Sequence, residues 1–203
     1  KNLVKNGFKV FSQQDEDGII EEIFKRIGIS TKKFIEIGVE TGEECNSTYL
    51  LHKGWSGLWV EGNTNFKDSI YKEFNKYLKR NLKTVFCKVN PNNIKTELLN
   101  FFQQNEEIDL LSIDIGTHTY HTLESINFIN SRVIVTEYNA KYGPSLEWIS
   151  KYDENSVWDG TDNYGASLKS FEKMLEKKNY KLVACNISGA NAFFIRGDLI
   201  KDK

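Results

Sequence analysis

The order of apolar segments along the chain constrains its fold more than any other feature. Seven short apolar runs of the kind found in β-strands alternate with helical patterns, and the first five runs show little in–out alternation. Strands of that kind are buried on both faces, as in a parallel sheet covered by helices. The sequence therefore predicts an α/β fold with a mainly parallel sheet. The predicted strands are KFIEIG (33–38), GLWVEG (57–62), KTVFCKV (83–89), DLLSIDI (109–115), RVIVTEY (132–138), YKLVAC (180–185) and NAFFIR (191–196).

The end of the chain departs from this alternation. Only NISGA (186–190) separates the last two predicted strands. A parallel crossover needs a dozen or more residues, so this connection requires an antiparallel hairpin. Between the earlier strands, apolar residues recur at helical spacing, and the first helix stops at Gly28. The helices are predicted at 16–28, 65–78, 94–104, 120–129 and 166–179.

Length, charge and cysteine content limit the classes of function. A chain of 203 residues suggests one domain, and a net charge of −1 offers no basic excess for nucleic acid or an anionic membrane. No apolar run approaches the roughly 20 residues of a membrane span. The three cysteines, Cys45, Cys87 and Cys185, form no CxxC pair, which favours reduced thiols over a zinc or disulfide framework. We therefore expect a cytoplasmic protein with a small-molecule partner, whose oligomeric state stays open.

A glycine-containing turn follows the first strand in FIEIGVETG (34–42). Gly38 and Gly42 flank this turn, and Glu36 lies at the strand end. Ligands of open α/β sheets bind at the carboxyl ends of the strands, where glycine lets the backbone approach them. The usual dinucleotide pattern has a middle glycine where this chain has Glu40, and an acid there would repel phosphate. The turn is either a simple tight turn or a site for a ligand with positive charge.

A second acidic residue, Glu61, ends the second strand nineteen residues after Gly42. An acid at that separation is placed to accept hydrogen bonds from ribose hydroxyls; the alternative is a solvated strand end. The two features together predict a nucleoside-containing ligand that has a positive centre and no phosphates. S-adenosylmethionine fits that description, whereas NAD(P) or a nucleotide sugar is disfavoured by Glu40.

Several longer motifs carry a family resemblance. They are FSQQDEDGIIEEIF (11–24), FIEIGVETG (34–42), CNSTYLLHKGWSGLWVEG (45–62), DLLSIDI (109–115), VIVTEYN (133–139), YGASL (164–168) and NAFFIRGDL (191–199). With these motifs the chain resembles class I S-adenosylmethionine-dependent methyltransferases of the FkbM-like group. The resemblance implies a Rossmann-like sheet of seven strands and a single domain over 1–203, with an N-terminal helical cap (1–30) and an acceptor-side loop (139–165). The implied activity is O-methylation of a small hydroxylated acceptor, such as a sugar or glycan precursor.

The resemblance also implies roles for individual residues. The methionine part of the cofactor is expected beside Glu36, Gly38 and Gly42, with Asp114 orienting its amine, and the ribose at Glu61. The adenine is expected between residues that follow the third strand, and two residues of the N-terminal motif are expected to close over the cofactor. These residues are Lys88, Val89 and Asn90 for the adenine, and Gln13 and Glu16 for the closing segment. Two residues at the start of the next helix, Asn46 and Thr48, are either helix caps or cofactor ligands.

The stretch SIDIGTHTYH (112–121) departs from its relatives. Similar sequences have an acid-rich D-I-D-G-N-D-Y turn, whereas here Asp114 is followed by Gly116 and Thr119 at the positions of the other acids. Mg²⁺ prefers clustered carboxylates, so a metal is not favoured. A metal, if bound, would use Asp114 with Glu137 and Asn139, and His118 or His121 could complete a softer site. The altered turn also leaves open a catalytically inactive cofactor-binding partner protein.

Three residues of this stretch are candidates for removing a proton from the acceptor hydroxyl. Histidine is the residue type whose ordinary charge change lies near neutral pH, which suits a general base, so His118 and His121 are candidates and Asp114 is the carboxylate alternative. A bystander role for each of them also stays open. Aromatic residues of the long loop are expected either to line a ring-shaped acceptor or to pack on the sheet. They are Tyr138, Tyr142, Trp148, Tyr152, Trp158 and Tyr164.

Overall fold

A seven-stranded sheet forms the centre of the computed structural model, which describes residues 2–156 and 158–200. The strands are β1 (Lys33–Ile37), β2 (Ser56–Glu61), β3 (Leu82–Phe86), β4 (Glu107–Ile113), β5 (Asn130–Glu137), β6 (Tyr180–Cys185) and β7 (Asn191–Arg196). Their order in the sheet is β3-β2-β1-β4-β5-β7-β6. Neighbours from β3 to β5 pair in parallel, and β7 runs antiparallel between β5 and β6. The predicted α/β fold and its final hairpin are confirmed.

Helices cover both faces of the sheet. They are α1 (Glu16–Ile27), α2 (Thr48–His52), α3 (Lys67–Glu73), α4 (Asn75–Leu78), α5 (Ile94–Leu99), α6 (Thr119–Ser125) and α7 (Leu168–Lys177). Successive strand residues point to opposite faces, so that Phe34 packs in one core layer and Ile35 in the other. Burial on both faces explains why apolar and polar residues do not alternate along these strands. Within the part of the chain that the structure describes, no helix is long and apolar enough to cross a membrane.

Three predicted helices are shorter than their apolar patterns suggested. The pattern at 65–78 forms two helices that break at Phe74, whose ring packs edge-on against Trp59 at 4.7 Å between centroids. The pattern at 94–104 ends at Leu99, and a left-handed residue, Asn105 (φ 62°), turns the chain toward β4. The pattern at 120–129 ends at Ser125, because the apolar residues after it enter the core in the approach to β5. In the first and third patterns, burial in the tertiary structure accounts for the apolar spacing.

The N-terminal segment is tied to the rest of the fold through carboxylates of α1. Asp17 Oδ2 accepts hydrogen bonds from the amides of Val10, Phe11 and Ser12, at 2.7, 2.7 and 3.0 Å. Glu16 Oε1 accepts hydrogen bonds from Asn186 Nδ2 at 2.6 Å and Asn191 Nδ2 at 3.0 Å. These contacts fix the segment before α1 against the hairpin of β6 and β7.

Candidate active site

A cavity of about 700 Å³ lies at the carboxyl ends of β1, β2, β4 and β5. This is the edge where ligands bind in open α/β sheets. Its charged lining residues are Glu40, Glu61, Lys88, Asp114 and Glu137. A smaller cavity of about 260 Å³ shares part of this wall and adds Gln13 from the N-terminal segment and residues of the loop between β1 and α2. Residues predicted from the sequence to bind the cofactor therefore converge on one edge of the sheet.

Gly38 permits β1 and β4 to meet closely at this edge. It has φ +86°, and a Cβ built on it would lie 1.7 Å from the carbonyl oxygen of Asp114. Any other residue would clash with that backbone atom and adopt a strained conformation. Glycine at position 38 therefore lets the backbone after β1 lie close to the backbone after β4 at the cavity wall.

Gly42 has a different reason to be glycine. A Cβ there would lie 2.6 Å from the Trp59 ring and 2.8 Å from the Phe74 ring. Gly42 lines neither cavity described above, and its carbonyl oxygen accepts a hydrogen bond from Thr48 Oγ1 at 2.8 Å. The sequence placed Gly42 beside the cofactor, but the structure directs it into the packed core because the Trp59 ring needs the space. Through this hydrogen bond, the Thr48 side chain fixes the turn at Gly42.

Glu61 lines the large cavity and supports the glycine turn. Its Oε2 accepts the amides of Val39 at 3.1 Å and Glu40 at 2.6 Å, and its Oε1 accepts the amide of Asn63 at 2.7 Å. A carboxylate oxygen can accept two hydrogen bonds, so Oε1 has the capacity for a ligand hydroxyl as well. The side chain is 7% exposed, and that exposure faces the cavity.

Glu36 is buried and joins β1 to the start of α2. Its Oε1 accepts the amide of Asn46 at 2.8 Å, and its Oε2 accepts the amide of Ser47 at 2.8 Å and the Ser47 hydroxyl. Burial raises the pKa of Glu36 to about 7, although these hydrogen bonds favour the charged form. Asn46 Nδ2 donates to Ser112 Oγ at 3.0 Å. The carboxyl group of Glu36 therefore holds the two residues that precede α2, whereas the side chains of Asn46 and Thr48, expected as caps or cofactor ligands, donate to Ser112 and Gly42.

Asp114 and Glu137 form a carboxyl pair at the ends of β4 and β5. The register pairs Ile113 with Thr136, so the next residues lie side by side. Their side chains share a hydrogen bond. Asp114 lines both cavities and is exposed to solvent there, and the surrounding protein, which removes part of its water, raises its pKa. Burial, followed by the charge of Asp114, raises the pKa of Glu137 to about 9, so Glu137 holds a proton near neutral pH.

Asn139 faces away from this pair. Its Nδ2 donates to the carbonyl oxygens of Asp162 at 2.8 Å and Tyr164 at 3.0 Å, and its Oδ1 accepts the amide of Lys141 at 3.1 Å. The structure thus brings Asp114 and Glu137 together but uses the Asn139 amide to hold the long loop. Among residues 2–156 and 158–200, no group of three or more His, Cys, Asp or Glu side chains is arranged to hold a metal ion.

The two histidines contact the long loop. His118 lines the large cavity, and its Nε2 lies 3.1 Å from the carbonyl oxygen of Ser156. His121 lies outside the residues that line that cavity, and its Nε2 lies 2.9 Å from the carbonyl oxygen of Ser150. Two loop aromatics, Trp158 and Tyr164, line the cavity near His118, with ring centroids 6.2 Å apart.

Residues that were expected to flank the adenine or to close over the cofactor also line these cavities. Lys88 and Val89 line the large cavity, and Gln13 lines the small one. The small cavity also includes Asn191, whose sequence context suggested only a core position in β7. Its polar side chain at the start of an apolar strand was the available signal, and its role depends on the contact with Glu16.

No family model and no curated protein matches the sequence. Solved structures do share its fold. A Staphylococcus aureus protein assigned as a caffeoyl-CoA O-methyltransferase has a TM-score of 0.61 at 14% identity, over 96% of this chain and 88% of that chain. A SAM-dependent methyltransferase from Aquifex aeolicus has a TM-score of 0.51 at 12% identity, over 87% and 89%. The N-terminal domain of EvdMO1 with SAH bound has a TM-score of 0.54 at 14% identity, over 94% and 88%. The chain thus has the Rossmann-like fold of class I methyltransferases.

Proposed function

We propose that this chain is an S-adenosylmethionine-dependent methyltransferase of the FkbM-like group that methylates a hydroxyl of a small acceptor, such as a sugar or glycan precursor. One observation supports this most strongly. In a fold shared with methyltransferases, an acidic cavity lies at the carboxyl edge of the sheet, with Glu61 at the tip of β2.

The charge of the cavity fits the cofactor. Among the described residues that line the cavity, four are acidic and one is a lysine. The acidic residues are Glu40, Glu61, Asp114 and Glu137, and the lysine is Lys88. S-adenosylmethionine carries a sulfonium and an amine and no phosphate, so acidic walls attract it and would repel a dinucleotide. When bound, it supplies an electrophilic methyl group.

Different residues of the cavity would bind different parts of the cofactor. Glu61 accepts hydrogen bonds from the ribose, and Lys88 and Val89 flank the adenine. Gly38 and the small cavity, with Glu36 behind the backbone and Gln13 at the N-terminal side, receive the amino-acid part. The acceptor then occupies the remaining space beside Asp114, Glu137, Trp158 and Tyr164.

We assign the proton transfer to Asp114. Methyl transfer to a hydroxyl forms an oxygen–carbon bond, breaks the sulfur–carbon bond and releases the hydroxyl proton, which needs a base within hydrogen-bond reach. Asp114 lines the cavity beside Glu137, whose pKa is raised to about 9, so we assign the shared proton to Glu137 and the role of base to Asp114. Positioning the hydroxyl against the methyl group is the larger part of catalysis.

Ligand-dependent melting tests this proposal. S-adenosylhomocysteine at about 100 times its Kd should stabilise the chain by about 2.7 kcal/mol, which raises Tm by roughly 5–10 °C in a chain of this size. NAD at the same concentration should leave Tm unchanged. A Tm rise with NAD and none with S-adenosylhomocysteine would contradict the cofactor assignment.

Transfer of a labelled methyl group to hydroxylated acceptors tests the activity itself. We expect label in a sugar or glycoside fraction, with turnover that persists in the presence of a chelator. Loss of turnover with chelator and its return with Mg²⁺ or Mn²⁺ would show metal assistance. Cofactor binding without transfer to any acceptor would favour an inactive binding protein.

A further inference from the structure

The histidine contacts with the long loop point to a role other than proton transfer. A backbone carbonyl oxygen can only accept a hydrogen bond, so in both contacts the histidine Nε2 carries the hydrogen and donates it. His121 donates to Ser150 and His118 donates to Ser156. The two histidines therefore hold the two ends of one segment, residues 150–156, which we call the strap.

Aromatic packing adds to these hydrogen bonds. The ring of Tyr152, in the middle of the strap, packs edge-on against both histidines, with ring centroids 6.0 Å from His118 and 5.2 Å from His121. The Tyr152 hydroxyl is buried and has no hydrogen-bond partner among the described residues. The ring, rather than the hydroxyl, therefore fixes Tyr152 in place.

The strap is also attached on the opposite side of the cavity. Lys88 Nζ donates to the carbonyl oxygen of Glu154 at 3.0 Å, and Asn90 Nδ2 donates to Glu154 Oε1 at 2.7 Å. Lys88 and His118 both line the large cavity, so the strap connects two of its walls. Lys88 and Asn90 follow β3, on the wall where the adenine is proposed to bind.

We propose that His118 and His121 are positioning residues that hold the strap across the cavity by Nε2–H donation, and that attachment of the strap to Lys88 and Asn90 couples its closure to cofactor binding. The coupling rests on the proposed function; the holding role does not. A ligand bound against the Lys88 wall favours the attached strap, and by linkage the attached strap favours the ligand. The next residue of the loop that lines the cavity is Trp158, so the strap also sets the acceptor wall.

Hydrogen exchange of a peptide that covers residues 150–156 tests the holding role. Replacement of either histidine by leucine removes the donor, and loss of one such hydrogen bond should speed exchange about tenfold. The His121→Gln and His118→Gln variants keep an amide N–H donor at similar reach and should exchange within about threefold of the wild type. Glutamine cannot serve as a base, so rescue by glutamine separates holding from proton transfer.

Two matched controls accompany these variants. His52 lies outside the cavity, with its ring stacked on Phe11 at 4.4 Å, and His52→Gln should leave strap exchange unchanged. Tyr152→Phe removes only the hydroxyl without a described partner and should also leave exchange unchanged. Wild-type exchange in both leucine variants would overturn the proposal, as would glutamine variants that exchange as fast as the leucine variants.

Titration with S-adenosylhomocysteine tests the coupling. Binding should slow strap exchange in the wild type, and His121→Leu should weaken binding about fivefold or more, as expected for typical coupling energies. Unchanged affinity in His121→Leu, with a faster-exchanging strap, would overturn the coupling. If the wild type does not bind S-adenosylhomocysteine at all, the proposed function and the coupling both fail, while the exchange result for the histidines still stands.

Discussion

Two groups of acidic residues end neighbouring strands of this sheet, yet their surroundings differ. Glu36 of β1 is enclosed by three donors from Asn46 and Ser47. Asp114 and Glu137, at the ends of β4 and β5, mainly face each other and the cavity. Both arrangements raise a pKa through burial, but Glu36 has several donors that stabilise its charge, whereas Asp114 has the Gly116 backbone and Glu137 is raised further by the charge of Asp114.

The difference separates an anchor from a reactive pair. A buried carboxylate with a full set of donors is costly to change because its partners lose their acceptor. A carboxyl pair with few donors gains nothing from being charged and exchanges its proton readily with a neighbouring group. We therefore propose a structural role for Glu36 and a role in proton transfer for Asp114 and Glu137. The following substitutions test this difference.

The largest effect should follow Asp114→Asn. Without the base, turnover should fall by about 10²–10⁴-fold, the typical contribution of general base catalysis. Affinity for S-adenosylhomocysteine should stay within a few fold, because asparagine keeps an oxygen that can accept a hydrogen bond from the cofactor amine. Steady-state kinetics and calorimetric titration provide the measurements, with the exposed Asp68→Asn as the control. If the Asp114→Asn variant turns over at the wild-type rate, Asp114 is not the base.

Glu36→Gln should cost stability rather than chemistry. The new amide group turns one acceptor oxygen into a donor that faces the donors of Asn46 or Ser47, at a cost of about 2–4 kcal/mol. Urea unfolding should show this loss at unchanged slope, and Asp68→Asn should show none. A Glu36→Gln variant as stable as the wild type would remove the anchor role.

Glu61 combines both kinds of role, so its replacement should have an intermediate effect. Glu61→Ala should weaken S-adenosylhomocysteine binding about tenfold or more, since a ribose hydrogen bond to a charged group is worth roughly 1.5–3 kcal/mol. It should also destabilise the turn that contains Val39 and Glu40. Calorimetric titration measures the affinity, and unchanged binding in a folded variant would exclude the ribose role.

The effect confined to a pH range should come from Glu137. Its pKa is about 9 in the folded chain and near 4.5 when unfolded, so the folded state holds this proton more tightly. The resulting stabilisation is complete below pH 4.5 and is lost as pH rises toward 9. Glu137→Gln removes this loss and should raise Tm at pH 8 relative to the wild type by about 2–4 °C for each kcal/mol, with little change at pH 5. An equal effect at both pH values would contradict the raised pKa.

The sequence was sufficient for the strands, the final hairpin and the edge where the site lies, because these depend on local apolar patterns and connection length. Gly38, Glu61 and Asp114 were predicted at the cavity and do line it. The packing of Gly42 on Trp59 could not be predicted, since it depends on which side chain crosses the turn. The same holds for the carboxyl pair, which requires the register of β4 and β5.

The histidines show the same limit. Two histidines three residues apart beside a strand end indicate either a metal site or a base, and nothing local reveals that their partners are carbonyl oxygens about 30 and 40 residues away. Asn139 likewise looked like a metal ligand until its amide was seen to hold the loop. Such roles depend on the path of the loop rather than on the residues themselves.

A structure with S-adenosylhomocysteine bound tests the central claim most directly. The account predicts the ribose hydroxyls within hydrogen-bond distance of Glu61, the adenine between Lys88 and Val89, and the sulfur on the side of Asp114 and Glu137. A ligand bound outside this cavity, or a ribose on a wall away from Glu61, would contradict it.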